Sequence, residues 1–299
     1  MEKPAVAIIG AGAVGSALAR GLARAGYPII TVVSRRLTRA QALAEQVGAE
    51  AVATSLHAVP GSVDCVFCCV PDDVIGDVAQ DLCEGRSDWS GCVMAHTSGV
   101  ATASALAPLG EHGAALLSFH PLQTFASTSP PDVFEGIYIG VEGDEWALLM
   151  ARQMALDLGA QAFTLTAAVK TRYHLAASMA SNFFVTLMAL AGEVLADIDM
   201  DRTKSAALLR PLIESTWQNM ERHLPEDVLT GPVARADRFT VADHLNALAK
   251  HLPHLIPVYA ALGAETVRVA VRSGKLAPEE AQHLLDILHA ALDPNEHFP

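Results

Sequence analysis

Residues 5–26 read AVAIIGAGAVGSALARGLARAG, an apolar strand-like run that breaks at glycines and continues as a helix of small residues. The spacing Gly10, Gly12, Gly15 at that junction has a physical meaning. The first glycine turns the chain, the second admits a pyrophosphate to the backbone, and the third lets helix and strand pack closely. The backbone from Gly10 through Ala11, Gly12, Ala13, Val14 and Gly15 is expected to cradle the phosphates, helped by the positive end of the helix dipole. The stretch therefore predicts a dinucleotide-binding α/β domain opening at the first strand.

From there to about residue 165, short apolar runs alternate with helix-period segments, at 29–33, 51–54, 64–70, 92–96, 115–120, 136–141 and 162–165. This alternation predicts strands joined by helical crossovers. Strand signals then stop, and helix-favouring segments follow at 167–198, 202–223, 240–251, 255–273 and 278–292. The chain is long enough for two domains. Residues 1–165 are expected to form a Rossmann domain, an α/β unit with a mostly parallel doubly wound sheet, and 166–299 an all-α domain for substrate and dimerisation.

Composition narrows the partners. With 20 basic and 33 acidic side chains the net charge is −13, which opposes binding to nucleic acid or to anionic lipid. Cys65, Cys68, Cys69, Cys83 and Cys92 are an odd set, and CVFCCV reads as a buried strand, so buried thiols are expected rather than a disulfide framework. The N-terminus lacks the flanks of a secretory signal, so the expected location is cytoplasmic. Residues 175–192 carry no formal charge and approach membrane-spanning length, but Ser178, Ser181, Asn182 and Thr186 favour a buried or subunit-interface helix. No metal site is expected, because His251-x-x-His254 is interrupted by Pro253 and no H-E-x-x-H or paired C-x-x-C occurs.

The second strand ends at Ser34-Arg35-Arg36, where NAD-binding folds place a carboxylate on the ribose 2′-hydroxyl. A hydroxyl and two guanidiniums suit a 2′-phosphate instead, so NADPH is the expected cofactor. The alternative is that the arginines begin a solvated helix at Leu37. Two further strand ends carry turns, Val70-Pro71-Asp72-Asp73 and His96-Thr97-Ser98-Gly99. Val70 and Pro71 are expected beside the cofactor, Thr97 and Ser98 near its nicotinamide ribose or carboxamide, and Asp73 as the cap of a helix starting at Val74.

Hydride transfer is the work of the nicotinamide, so the protein must orient the acceptor and supply a proton or hydrogen bonds. On the first long helix Lys170, His174, Ser178 and Asn182 recur every four residues, which puts His174, Ser178 and Asn182 on one face. Such a stripe is costly to bury without partners. It reads either as a ligand cleft, with His174 as proton donor and Asn182 holding a carbonyl, or as interhelical bonding in a dimer core. His120, after the sixth strand, is a second acid/base candidate, with Gln123 in the same loop as a substrate contact. Arg235 is expected to clamp a substrate carboxylate; pairing with Asp237 or capping a helix are the alternatives.

The segments GAGAVG at 10–15, VPDD at 70–73, HTSG at 96–99, SFHPLQTF at 118–125, YHLAASMASN at 173–182 and LTGPVARAD at 229–237 together resemble one family. It is the group of Rossmann-like oxidoreductases that carry the helical domain of unknown function 2520, within the 6-phosphogluconate dehydrogenase superfamily. The likeness covers essentially the whole chain, and Ala236 departs from it where the family's glycine is expected. It implies an NADP-type cofactor, a homodimer built through the helical domains and a substrate cleft between domains. Better-known relatives reduce 2-oxo acids such as ketopantoate, oxidise β-hydroxyacids or reduce cyclic imines such as pyrroline-5-carboxylate, often with a lysine and an asparagine on the first long helix. Here His174 and Ser178 stand where such a lysine is expected. The leading expectation is NADPH-dependent reduction of a small carboxylate-bearing carbonyl compound. An imine reductase and a non-catalytic NADPH-binding sensor or partner protein are the alternatives.

Overall fold

The computed structural model describes residues 2–292. Eight strands form one sheet: β1 (Val6–Ile9), β2 (Ile29–Val33), β3 (Ala51–Ala53), β4 (Cys65–Cys68), β5 (Val93–His96), β6 (Ala115–Pro121), β7 (Tyr138–Gly143) and β8 (Gln161–Thr164). Their order is β3-β2-β1-β4-β5-β6-β7-β8. All neighbours run parallel except β6 and β7, which pair antiparallel with His120 opposite Gly140. The order reverses between β1 and β4, and a crevice at the carboxyl ends of strands on either side of such a reversal is where open α/β sheets hold ligands.

The central strands are continuous apolar runs because both faces are covered. Ile8 and Phe67 pack on one side with Leu18, Leu22 and Phe119, while Ile9 and Val66 pack on the other with Leu82, Trp89 and Met94. The covering helices are α1 (Ala13–Arg24), α2 (Leu37–Val47), α3 (Ile75–Gly85), α4 (Ala107–Glu111) and α5 (Glu145–Asp157). After β8 come α6 (Lys170–Ala180), α7 (Asn182–Asp197), α8 (Ser205–Met220), α9 (Pro225–Val228), α10 (Arg238–His251), α11 (Ile256–Arg272) and α12 (Pro278–Ala290).

The chain divides into two compact units, 1–182 and 183–299. The sheet ends at Thr164, beside the boundary read from sequence, but α6 stays with the sheet unit because Lys170 and Tyr173 bond to residues at the ends of β5 and β6. The helix expected over 167–198 is interrupted at Ser181 (φ −112°, ψ −68°), which closes α6 and shifts the phase of α7. Asp73 does not cap a helix at Val74. It lies inside a 3₁₀ turn, Asp72–Val74, with α3 starting at Ile75, and neither start has a side-chain cap. The cysteines of the expected cluster are free thiols; Cys65, Cys68 and Cys92 are buried, and Cys69 and Cys83 are half-buried.

The second unit has its own core, formed by Val241 and Leu245 of α10, Val267 of α11 and Leu284 and Leu288 of α12. By contrast α7 buries only Gly192, and α8 buries no residue. The stretch Ala167–Asp197 is long and apolar enough to cross a membrane by length and composition.

Candidate active site

A cleft of about 1050 Å³ opens at the carboxyl ends of β1, β2 and β4. Its floor is the turn Gly10-Ala11-Gly12, which leads into the N-terminus of α1. Gly10 sits at φ +103°, and a Cβ there would lie 2.2 Å from the carbonyl oxygen of Cys69, so only glycine makes this turn. At Gly12 a Cβ would meet nothing within 4 Å, so the space beside it lies open to a ligand. One wall carries Ser34, Arg35, Arg36 and Arg39, and the other Val74 and Val78 with Asp77, Asp81 and Glu84. The three arginines are exposed and have no ion-pair partner among the described residues. Three unpaired guanidiniums around a helix N-terminus make an anion site with room for a dinucleotide carrying an extra phosphate.

Further along the same sheet edge, the ends of β5 and β6 meet α6 in a compact polar cluster. Lys170 is 1% exposed, and its ammonium donates to the Ser98 carbonyl at 3.3 Å and to the Ser118 hydroxyl. Burial draws its pKa down to about 8, opposed by the charges of Glu142 and Asp72. The loop accepting it is tightly specified. The Ser98 amide donates to His96 Nδ1 at 3.2 Å, His96 Nε2 lies 3.0 Å from the Thr102 carbonyl, and the Ser98 hydroxyl accepts from the amides of Val100 and Ala101 at 3.3 and 2.9 Å. His96 therefore carries its proton on Nε2, and burial holds it neutral with a pKa of about 4.

His120 stands between two consecutive residues of α6. Its Nδ1 is 2.8 Å from the Tyr173 hydroxyl, and its ring meets the rings of Tyr173 and His174 edge to face at 5.5 and 6.0 Å. Burial, then the nearby charge of Lys170, brings the His120 pKa down to about 4. Gly99 closes the group: a Cβ there would lie 2.4 Å from His174 Cδ2 and 2.8 Å from His120 Nε2.

Comparison with known proteins agrees with this geometry. Residues 5–94 match the family described as NADP oxidoreductase, coenzyme F420-dependent, and residues 137–266 match the domain of unknown function DUF2520. The chain thus carries an NADP oxidoreductase Rossmann domain followed by a DUF2520 domain. Among solved structures it is similar to a Bacteroides fragilis protein described as a candidate NADP oxidoreductase, with 27% identity and a TM-score of 0.75, covering 89% of this chain and 98% of that one. It shares its fold with a reductive aminase from Aspergillus terreus in complex with NADPH (17% identity, TM-score 0.60, 97% and 94% coverage). The same holds for 1-pyrroline-5-carboxylate reductase from Streptococcus pyogenes (14% identity, TM-score 0.62, 92% and 100% coverage). No curated protein matches the sequence. The chain is thus an NADP-dependent oxidoreductase, and the residues that would hold its cofactor are those of the glycine turn and the arginine wall.

For this oxidoreductase the structure gathers some of the sequence candidates and separates others. Gly10, Ala11, Gly12, Ser34, Arg35, Arg36, Val70 and Pro71 all line the cleft, while Ala13, Val14 and Gly15 form the first turn of α1 behind it. Thr97 lies beside the Cys69 thiol, and the Ser98 hydroxyl is spent on its own turn. His120 and His174 do meet. Ser178 is half-buried two turns along α6 from Lys170, and Asn182 lies past the Ser181 break, exposed at the start of α7. Gln123 is exposed and folds back to accept from the Thr124 amide at 2.8 Å. Arg235 is exposed in the second unit, and Asp237 caps α10 through the Thr240 amide. Among the described residues no group of His, Cys, Asp and Glu can hold a metal.

Four residues were missed. Lys170 heads the four-residue stripe, and its burial against Ser98 and Ser118 has no signal in the spacing. Tyr173 and His96 lay inside quoted motifs without a role. Arg39, one helical turn after Arg36, carried a spacing signal that went unread.

Proposed function

We propose that the chain catalyses NADPH-dependent reduction of the carbonyl group of a small carboxylate-bearing compound of the 2-oxo acid class. The observation that carries this reading is the buried Lys170 ammonium beside the His120–His174 pair. A developing alkoxide oxygen is stabilised by a buried cation and N–H donors, whereas a preformed iminium would be repelled by them. The bound cofactor supplies the hydride. Lys170 has three N–H donors, of which Ser98 and Ser118 take two, leaving one to serve the reacting oxygen directly or through an ordered water. With a pKa of about 8 it is mostly protonated at neutral pH and well matched to donate. His120 is neutral there, so its part is that of a hydrogen-bond donor, in place of the acid/base role expected from the sequence. His174 adjoins the His120 ring edge to face, and Arg235, with no ion pair among the described residues, is the proposed carboxylate anchor.

The test is an NADPH-oxidation screen over 2-oxo acids, aldehydes, cyclic imines and ketone-plus-amine mixtures. Turnover of 2-oxo acids supports the proposal. Turnover confined to imines would transfer the protein to the imine reductases, and tight NADPH binding with no turnover would make it a sensor.

We also propose that the helical unit pairs with a second copy in the cytoplasm, without membrane or nucleic-acid contact. Phe183, Val185, Leu212 and Trp217 of α7 and α8 are each more than half exposed, large apolar side chains of the kind that a protein interface covers. Ser181, Asn182 and Thr186 on the same stretch suit a protein interface better than lipid. Sedimentation should give a dimer that Val185→Glu dissociates; a wild-type monomer would end the idea.

A further inference from the structure

We propose that Tyr173 is a positioning residue that locks His120 in the tautomer with its proton on Nε2, so that a neutral N–H donor is presented beside Gly99 to an oxygen of the substrate. The proposal deepens the carbonyl-reductase reading and rests on it for the identity of the acceptor, but the tautomer itself does not depend on that reading. It starts from the 2.8 Å contact between the Tyr173 hydroxyl and His120 Nδ1. Either group can donate. A phenol is the stronger donor, being far more acidic than the N–H of a neutral imidazole, and its conjugated oxygen is the weaker acceptor. If Nδ1–H donated instead, the phenolic hydrogen would need a second acceptor, and His120 is the hydroxyl's one hydrogen-bond partner among the described residues. Tyr173 therefore donates, Nδ1 accepts, and the ring proton resides on Nε2.

Two glycines show that the fold makes room for this pair. On one side a Cβ at Gly140, which lies opposite His120 on β7, would come within 3.2 Å of the Tyr173 hydroxyl. On the other, a Cβ at Gly99 would come within 2.8 Å of His120 Nε2. Phe163 braces the tyrosine ring edge to face at 5.6 Å, so the hydroxyl is aimed by packing as well as by its hydrogen bond. Nε2 has no hydrogen-bond partner among the described residues and is not one of the fully buried orphans, so it keeps some accessible surface for a further acceptor. The titratable and charged groups around it are Lys170, His174, Asp72 and His96. An N–H donor next to an ammonium selects an acceptor oxygen and not the N–H of an iminium.

The test uses the full-length protein labelled with ¹⁵N-histidine, with the His120 resonances assigned by comparison with His120→Asn. At pH 7 the wild type should show Nδ1 unprotonated and Nε2 protonated, and Tyr173→Phe should shift the population toward the other tautomer. A proton on Nδ1 in the wild type, or an unchanged tautomer in Tyr173→Phe, overturns the proposal whether or not a substrate is known. Once a substrate is found, Tyr173→Phe should lower kcat about tenfold with the NADPH KM unchanged, the size of one lost hydrogen bond. In a His120→Gln background, whose amide donor needs no tautomer, the same change should cost less than about twofold. Equal losses in both backgrounds would mean that Tyr173 acts through packing alone.

Discussion

The two ends of the sheet's carboxyl edge are built on opposite principles. At the β1–β2–β4 end the cleft is open, its arginines are exposed and unpaired, and its shape is set by backbone turns. At the β5–β6 end the functional groups are packed against one another, with Lys170 and His96 buried and every polar atom of Ser98 committed. The first end is shaped to suit a large charged ligand, and the second fixes its polar hydrogens in a closed hydrogen-bond cluster. The difference teaches that substitutions at the two ends should separate binding from chemistry.

The largest effect is expected from Lys170→Met. Removing the buried ammonium should lower the rate of NADPH oxidation by about a hundredfold or more, the range for loss of a positioned proton donor, while NADPH affinity stays within about twofold. Gly99→Ala should behave likewise, since its methyl group would displace both His120 and His174. If either variant weakened NADPH binding as strongly as it slowed turnover, the division of labour between the two ends would collapse.

The reciprocal change comes next. Arg35→Ala, Arg36→Ala and Arg39→Ala should each weaken NADPH by roughly 10- to 100-fold, the loss of one charge-assisted contact, and leave NADH binding almost unchanged. Calorimetric titration with both nucleotides reads the ratio. Equal losses for NADPH and NADH would place the 2′-phosphate elsewhere.

How legible these ends were in the sequence follows from the same contrast. The glycine turn and the arginines are local, so a stretch of about thirty residues announced the cleft, the fold and the cofactor. The β5–β6 cluster joins residues from 96 to 174, and nothing in the spacing of Lys170 tells that it is buried under Ser98. The stripe was read as His174, Ser178 and Asn182 because helical periodicity was carried through Ser181, where the backbone breaks. The antiparallel β6–β7 pair was likewise invisible, since an apolar strand in a covered sheet has no directional signature.

A smaller effect concerns pH. Lys170 is held down to about 8 in the folded protein, against an ordinary value of 10.5. Its charged form is therefore penalised by folding, at most on the order of 3 kcal/mol below pH 8, and the penalty disappears as the pH rises through the unfolded value. Lys170→Met should accordingly be more stable than the wild type at pH 7, with the gap closing toward pH 10 in chemical denaturation. The wild-type rate should fall above pH 8 as the donor loses its proton. A stability gap independent of pH would assign the difference to packing instead.

The smallest effect lies in the second unit, away from both ends. Ala236 adopts φ 54° and ψ 28° between the 3₁₀ turn Val233–Arg235 and Asp237, the cap of α10. A side chain in this left-handed region costs about 1 kcal/mol that glycine avoids, and glycine gives back part of that gain through its freer unfolded chain. Ala236→Gly should therefore stabilise the protein by roughly 0.5 kcal/mol, a rise in Tm of about 1–2 °C. Because the change removes only a methyl group, neither NADPH affinity nor turnover should move unless the path of the chain beside Arg235 shapes the substrate site. A gain in kcat/KM for a carboxylate substrate, without any change for an aldehyde lacking the carboxylate, would show that Arg235 is the anchor and that the alanine holds it off its best position.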